Sequence, residues 1–332
     1  LNILITGGIG FIGSHTYISL YERYPEAQLV IIDNLANSSP RTIERLKKIT
    51  CKSVLFFPID LRDEQALTKL FHAYRFHSVF HFAGYKAVGE SITNPLEYYV
   101  NNVQGTFNLL RCCLLYQIER FIFSSSATVY GDGNSPLKEN APLLPASNPY
   151  GQTKAMCERI LMDVAAANPG FNVTILRYFN PVGAHESGLI GEVPASVPNN
   201  LMPYITKVAK GDLPVLHIFG GDYPTVDGTG IRDYIHVMDV AEGHVAALEH
   251  LTPGYHIYNL GTGSGTSVLQ LVNAFEQVNE IKVPYQIVNR RSGDNPSIYA
   301  DVGKAESELQ WRARRTIEDM CRDAWNFEKQ DG

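Results

Sequence analysis

Tyr150 and Lys154, four residues apart in Pro149-Tyr150-Gly151-Gln152-Thr153-Lys154, are the first pair in this sequence that could move a proton. On a helix, positions i and i+4 share a face with Cβ atoms about 5–6 Å apart, so both side chains can address one site. A free phenol has a pKa near 10, so a tyrosine base working at neutral pH needs a shift of roughly 3 units, about 4 kcal/mol. A lysine ammonium is one charge suited to that shift, and a cationic ring held beside the pair is another. Tyrosine and lysine also share helix faces by chance. What strengthens the pair is Ser124-Ser125-Ser126-Ala127-Thr128-Val129-Tyr130-Gly131, a strand end that runs out into hydroxyls. A hydroxyl there can hydrogen-bond an oxygen that is being oxidised. Ser126 is the expected one, with Ser124 and Ser125 read as capping residues or substrate contacts.

A second feature binds rather than reacts. Thr6-Gly7-Gly8-Ile9-Gly10-Phe11-Ile12-Gly13 follows an apolar strand directly and opens a helix. Glycines let the backbone turn tightly and approach a pyrophosphate, while the helix amino terminus offers unpaired N–H groups and the positive end of its dipole. Gly7, Gly10 and Gly13 are the expected contacts. No lysine follows the glycines, which removes the P-loop reading. Asp33 ends the next apolar strand, twenty residues beyond Gly13. A carboxylate there accepts both hydroxyls of an adenosine ribose and repels a 2′-phosphate, favouring NAD over NADP. Asp60 ends the third strand, within reach of an adenine. Both aspartates could instead cap turns.

Together these features resemble the extended short-chain dehydrogenase/reductase family. Three further blocks, His81-Phe82-Ala83-Gly84-Tyr85-Lys86-Ala87-Val88-Gly89-Glu90-Ser91, Arg177-Tyr178-Phe179-Asn180-Pro181-Val182-Gly183-Ala184 and Arg232-Asp233-Tyr234-Ile235-His236-Val237, are similar to the UDP-hexose 4-epimerases within it. The likeness runs over essentially the whole chain. It implies NAD contacts at Phe11 and Ile12, at Asp33, Asn34, Leu35, Ala36, Asn37 and Ser38, at Asp60 and Leu61, and at Phe82, Ala83, Gly84, Tyr85 and Lys86. Asn101, Ser126, Tyr150, Lys154 and Phe179 complete that implied set. For a UDP-sugar it implies Lys86, Ser126, Tyr150, Asn180, Asn200, Leu201, His217, Ile218, Phe219, Arg232, Tyr234, Arg291, Asp294 and Ile298. Arg232 and Arg291 are also chemically suitable forks for a diphosphate, though a lone arginine is more often a solvated surface residue.

The activity so implied is inversion at C4 of UDP-galactose and UDP-glucose through a transient 4-keto sugar, with NAD retained. Tyr150 would be the base, Lys154 would hold the nicotinamide ribose and lower the Tyr150 pKa, and Ser126 would position O4. Sugar 4,6-dehydratases share the scaffold but need a carboxylate pair where this chain has Ala127 and Thr128. A plain dehydrogenase and a non-catalytic sensor are the other readings, and the sensor usually loses the tyrosine or lysine. No G-x-S-x-G elbow and no H-E-x-x-H pair occurs, so hydrolase readings fail and no metal is expected. Counting from Gly293-Asp294, Ile298 occupies a position where the resemblance implies control of pocket size. An aliphatic residue there predicts some activity on UDP-N-acetylhexosamines, unless Ile298 packs inward and Tyr299 narrows the pocket.

Ile3 to Thr6, Leu29 to Ile32, Val54 to Ile59, Val79 to Phe82, Phe121 to Ser124 and Val173 to Leu176 read as strands buried on both faces. Ser14 to Tyr24, Leu96 to Tyr116 and Lys154 to Ala167 read as helices between them. That alternation predicts an α/β fold: a doubly wound parallel sheet of Rossmann type, with ligands at the carboxyl ends of its strands. Residues 1–180 are expected to form the NAD-binding domain. Residues 181–332 are expected to form a smaller mixed α/β lobe for the UDP-sugar, with segments around 231–260 returning to the first domain and two helical runs at the end. The chain has 332 residues and a net charge of −6, which disfavours nucleic acid as a partner, and its apolar runs are too short for a membrane span. Five cysteines without a C-x-x-C pair suggest reduced, packed thiols in a cytoplasmic protein, and the start at Leu1-Asn2-Ile3 shows no cleavable signal. The resemblance also implies a homodimer built by helices of the first domain, and His81 and most other histidines are read as structural.

Overall fold

The computed structural model describes residues 1–194, 198, 200–291 and 294–330. Six strands form along the first half, β1 (Asn2–Thr6), β2 (Gln28–Ile32), β3 (Leu55–Phe57), β4 (Ser78–His81), β5 (Arg120–Ser126) and β6 (Asn172–Tyr178). The later ones are β7 (Asn180–Val182), β8 (Leu216–Phe219), β9 (Ile231–Arg232), β10 (Tyr234–His236), β11 (Tyr255–Leu260), β12 (Thr266–Ser267), β13 (Tyr285–Val288) and β14 (Ser297–Ile298). Helices α1 (Phe11–Arg23), α2 (Arg41–Thr50), α3 (Glu64–Ala73), α4 (Val88–Thr93), α5 (Pro95–Tyr98), α6 (Gly105–Leu115) and α7 (Pro149–Ala167) alternate with the early strands. Those of the second half are α8 (Leu201–Lys210), α9 (Val237–Glu249), α10 (Val268–Asn279), α11 (Gly303–Glu308) and α12 (Ile317–Gln330).

The main sheet has seven parallel strands in the order β11-β6-β5-β4-β1-β2-β3. Ile3, Leu4 and Ile5 are fully buried because helices cover both faces of the sheet, which is why β1 carries apolar side chains at consecutive positions. The strand order reverses between β1 and β4, leaving a crevice at their carboxyl ends where ligands of such sheets bind. A second apolar core gathers Val182, Met202, Ile205, Ile218, Leu271, Phe275 and Met320 from β7, α8, β8, α10 and α12.

Several sequence expectations are corrected in detail. β3 is the sheet edge, so the segment expected to be buried on both faces is three residues long and only half-buried. The continuous helix expected over Leu96–Tyr116 is α5, a π-helical turn at Tyr99–Gln104, and α6. In the π turn Asn102 bonds the Tyr85 backbone at both its N–H and its C=O, and donates to Thr153 Oγ1 as well; single π turns of this kind cluster at functional sites. Helix α7 covers the expected Lys154–Ala167 and begins at Pro149, as a helix face shared by Tyr150 and Lys154 requires, because Asn148 Oδ1 accepts the Gly151 N–H at 2.9 Å and Pro149 fills the first position. Among the described residues the last part of the chain holds three helices, α10, α11 and α12, where two were expected. Cys51 is exposed, while Cys112, Cys113, Cys157 and Cys321 are packed and free. Among the described residues no helix is long and apolar enough to cross a membrane.

Candidate active site

The glycine loop lies where β1 and β4 part. Gly10 caps α1 without any side-chain acceptor, and the first N–H bonded back into the helix is that of Ser14, to Gly10 O at 3.0 Å. The N–H groups of Phe11, Ile12 and Gly13 therefore stand open at the positive end of the helix. A Cβ on Gly13 would lie 2.4 Å from Gly7 O, so the turn exists only because that atom is absent. At the tip of β2, Asp33 Oδ1 accepts from Leu35 N at 3.0 Å and from Ser38 Oγ at 2.8 Å. Burial pushes the Asp33 carboxyl up; donation from a ribose diol would favour its charged form. Open amides, a loop stripped of side chains and a buried carboxylate one strand over fit NAD. Asp60 behaves differently. It accepts from Arg62 N and Nε on Oδ1, and from Arg62 Nη2 and Asn34 Nδ2 on Oδ2. Arg62 holds the Asp60 carboxyl far below the usual range. With all four lone pairs engaged, the Asp60 side chain is a strut for the 33–38 loop and reaches adenine only by giving up one of these bonds.

Tyr150 and Lys154 sit on the first turns of α7. Burial pushes the Tyr150 phenol up and the Ser126 hydroxyl pulls it back. Lys154 was expected to lower this pKa, yet in the protein alone the net direction is upward. Lys154 is 6% exposed, and burial pushes its ammonium down to about 8. Its Nζ donates to Ser124 O at 2.6 Å and lies over the Phe123 ring at 4.9 Å. A cationic ring bound beside the pair would act in the opposite direction, as does the amino-terminal dipole of the 19-residue helix that carries Tyr150. Ser126 Oγ accepts from Thr128 N at 3.2 Å and Thr128 Oγ1 at 3.0 Å, which leaves its own proton to donate into the cleft.

The structure corrects the reading of the neighbouring serines. Ser125 neither caps nor faces the cleft: it is 1% exposed and donates to the buried Glu158 carboxylate. Ser124 contributes its carbonyl to Lys154. His81 is structural as expected, wedged between Thr6 Oγ1 at 2.7 Å and Thr106 Oγ1 at 2.8 Å, with burial pushing its pKa down to about 3.

In the second lobe, Asn180 N donates to Asp233 O at 2.9 Å, tying β7 to the residue between β9 and β10. Arg232 donates to Asp294 Oδ1 at 2.8 Å and to the Ile231 and Asn295 carbonyls, so the expected diphosphate fork also joins β9 to the 294–298 segment. The Arg291 guanidinium carbon lies 3.9 Å from the Phe219 ring centroid. His217 is exposed, whereas Ile218 and Tyr234 are core residues with their side chains buried, so a ligand would meet their backbone. Ile298 packs beside Phe179, Val129 and Tyr130 at the junction of the lobes. Ser292 and Gly293, in the stretch from which Ile298 was counted, lie outside the described residues.

Sequence reasoning missed Thr128, Asn102 and Glu192. Glu192 Oε1 accepts from Lys86 Nζ and from Asn200 Nδ2, both at 2.6 Å, joining two residues that the resemblance assigned to the sugar. Nothing in its spacing signals this, since the partners lie at |i−j| of 106 and 8.

Comparison with known proteins agrees with this geometry. The model of the NAD dependent epimerase/dehydratase family matches residues 3–261. The UDP-glucose 4-epimerase of Pasteurella multocida is 53% identical, with 99% of this chain and 98% of that protein covered. The UDP-glucose 4-epimerase of Stenotrophomonas maltophila, solved with NAD and formylated UDP-arabinopyranose, superposes with a TM-score of 0.96 at 46% identity, covering 99% of this chain and 98% of that one. That of Bifidobacterium longum, in complex with NAD+ and UDP, gives 0.95 at 47% identity, covering 100% and 99%. With its glycine loop, Tyr150–Lys154 pair and seven-stranded sheet, the chain belongs to the NAD dependent epimerase/dehydratase family.

Proposed function

We infer that this protein is an NAD-dependent isomerase that interconverts UDP-galactose and UDP-glucose by inversion at C4. The observation that carries the reading is the convergence of Tyr150, Lys154 and Ser126 beside an uncapped, glycine-lined helix terminus, within a chain about half identical to UDP-glucose 4-epimerases over its full length. The glycine loop and Asp33 would hold NAD, which would supply the hydride acceptor and donor needed at C4. Tyr150 as phenolate accepts the 4-hydroxyl proton and gives it back at the end, so no proton is consumed. Ser126 donates its hydroxyl proton to O4 and holds that oxygen near Tyr150. Lys154, anchored by Ser124 O, keeps a positive charge under the pair. Residues 1–180, with β11 and α9 packed back onto them, serve the cofactor, and the core of residues 181–332 holds the nucleotide while the 4-keto hexose turns.

Proton NMR of UDP-galactose mixed with the pure protein, with no NAD added, tests this directly. Growth of the UDP-glucose anomeric signal is the expected result and shows both the reaction and a retained cofactor. No change, even after NAD is supplied, would leave a nucleotide-sugar-binding protein of other chemistry.

Two finer readings belong to the same proposal. Isoleucine at 298 removes the bulk an aromatic ring would place beside Phe179, so the enzyme should also turn over UDP-N-acetylgalactosamine. Ile298→Tyr should depress that activity at least about tenfold relative to UDP-galactose, read by the same NMR assay. No reaction of the unaltered enzyme with the acetylated sugar would sink the idea. The second concerns assembly in the cytoplasm, where an unsecreted metabolic enzyme with free thiols would work. Leu96 is 77%, Phe107 50% and Leu115 71% exposed along α5 and α6, an apolar strip suited to pairing with a second copy. Leu96→Glu with Phe107→Glu should convert a dimer to a monomer in sedimentation experiments, and a dimer that persists would place the interface elsewhere.

A further inference from the structure

Tyr150, Lys154 and Glu158 occupy successive turns on one face of α7, and each meets a different part of Ser124-Ser125-Ser126 on β5. Tyr150 meets the Ser126 hydroxyl and Lys154 meets the Ser124 carbonyl, as described above. Glu158, fully buried, accepts from the Ser125 hydroxyl. It is also clamped by Arg177, whose Nε reaches Oε1 at 2.9 Å and whose Nη2 reaches Oε2 at 2.6 Å. Arg177 stands on β6 directly opposite Ser125 in the strand register. It is held in turn by the Glu139 carbonyl at 3.2 Å and by the Tyr130 ring, 4.7 Å from its guanidinium carbon. The Tyr130 hydroxyl donates to Asn259 Oδ1 at 2.6 Å on β11. Three neighbouring strands of the sheet are therefore bonded, through one buried ion pair, to the helix that carries the proton-transfer pair.

A buried pair is a poor route to stability, since well-packed apolar residues of similar volume do as well or better. What it supplies is a direction. A bidentate Arg–carboxylate fork fixes both position and orientation, and the backbone it fixes lies one turn beyond Lys154. We propose that Glu158, with Arg177 and Ser125, is a positioning residue that sets the register of Tyr150 and Lys154 against Ser124 and Ser126. Glu158 does not touch the reacting atoms. Its charge also acts on Lys154: burial drives the lysine ammonium down, and the nearby Cys157 and Glu158 draw it back up. The other titratable groups around Lys154 are Tyr150 on the same helix, His81 on β4, which is neutral, and Tyr178 on β6, whose phenol burial pushes up. Facing Glu158, Arg177 is the cation. Glu139 bonds the Asn259 N–H by its side chain at 2.9 Å.

The proposal rests on the proton-transfer role of Tyr150 given above, and turnover of UDP-galactose by the unaltered enzyme in the same assay keeps the two apart. The test compares Ser125→Ala, Glu158→Gln and the paired Glu158→Leu/Arg177→Leu, each as purified protein with its NAD content measured. Ser125→Ala removes one bond without orphaning a charge, and the paired variant removes both charges together, so either can fold where Glu158→Gln does not. The expected result is a fall in kcat of about tenfold or more in Ser125→Ala and in the paired variant, with KM for UDP-galactose unchanged, as misplacement of reacting groups produces. In Glu158→Gln the uncompensated Arg177 charge favours deprotonation of Lys154, so the alkaline limb of the kcat profile should move to lower pH. Wild-type kcat in both Ser125→Ala and the paired variant, or a loss confined to KM, would overturn the proposal.

Discussion

Tyr150→Phe should lower turnover of UDP-galactose by about 10³-fold while leaving NAD bound and the melting temperature nearly unchanged. The phenol oxygen is the only atom removed, and the ring continues to pack at the start of α7. Asn148 still caps that helix and Lys154 still bonds Ser124 O, so the site keeps its shape. What disappears is the group that takes the 4-hydroxyl proton. Ser126 cannot replace it: its oxygen already accepts twice from Thr128, and a serine hydroxyl is far less acidic than a phenol. Lys154 is charged at neutral pH when burial leaves its pKa at about 8, and a protonated amine accepts nothing. Steady-state assays by NMR, with cofactor content from absorbance, distinguish a chemical defect from a binding one. Activity within about threefold of wild type would show that the proton is transferred by another group.

Gly7→Ala should lose cofactor and stability together. Gly7 has φ +67°, a left-handed conformation that costs an L-residue about 1–2 kcal/mol. Its added Cβ would also lie 2.6 Å from Ala83 N and 2.8 Å from Ala83 Cα. Both are backbone atoms at the end of β4, so relief requires moving the 82–86 segment away from β1. Overpacking of this kind costs about 1–3 kcal/mol more, and the 82–86 segment is part of the expected NAD contact surface. The variant should melt several degrees lower and emerge from gel filtration without NAD. Gly89→Ala is the matched control: that glycine lies in α4 with nothing within 4 Å of an added Cβ, so a small gain in stability is expected from helix propensity. Full cofactor retention by Gly7→Ala would mean that the β1–β4 crevice is more pliant than its packing indicates.

What the sequence determined by itself follows from local rules. Consecutive apolar residues such as Ile3-Leu4-Ile5 and Phe121-Ile122-Phe123 can be strands only if both faces are covered, and that requirement selects a parallel, helix-flanked sheet. Gly7, Gly10 and Gly13 announce a tight strand-to-helix turn, and at Gly7 and Gly13 a Cβ would strike backbone. Tyr150 and Lys154 share a helix face through spacing alone, and the resemblance of three longer blocks supplied the chemistry. Even the true start of α7 was legible in Asn148-Pro149, a cap followed by a first-turn proline.

Tertiary structure decided the rest, because the deciding contacts depend on which side chains the folded chain brings to face one another. Whether Asp60 is a ligand or a strut depends on Arg62 and Asn34 filling its lone pairs. Ser124, Ser125 and Ser126 are identical letters, yet one lends a carbonyl to Lys154, one bonds a buried carboxylate and one turns its hydroxyl to Tyr150. The difference comes from which strand and helix lie beside each. The π turn that breaks the expected long helix follows the bonds of Asn102 to Tyr85 and Thr153, seventeen and fifty-one residues away. Burial set the protonation balance in the same way. Periodicity and spacing state which side chains share a face, but desolvation depends on everything packed around them. The upward push on Tyr150 and the downward push on Lys154 therefore exist only once the sheet, α7 and β5 have come together.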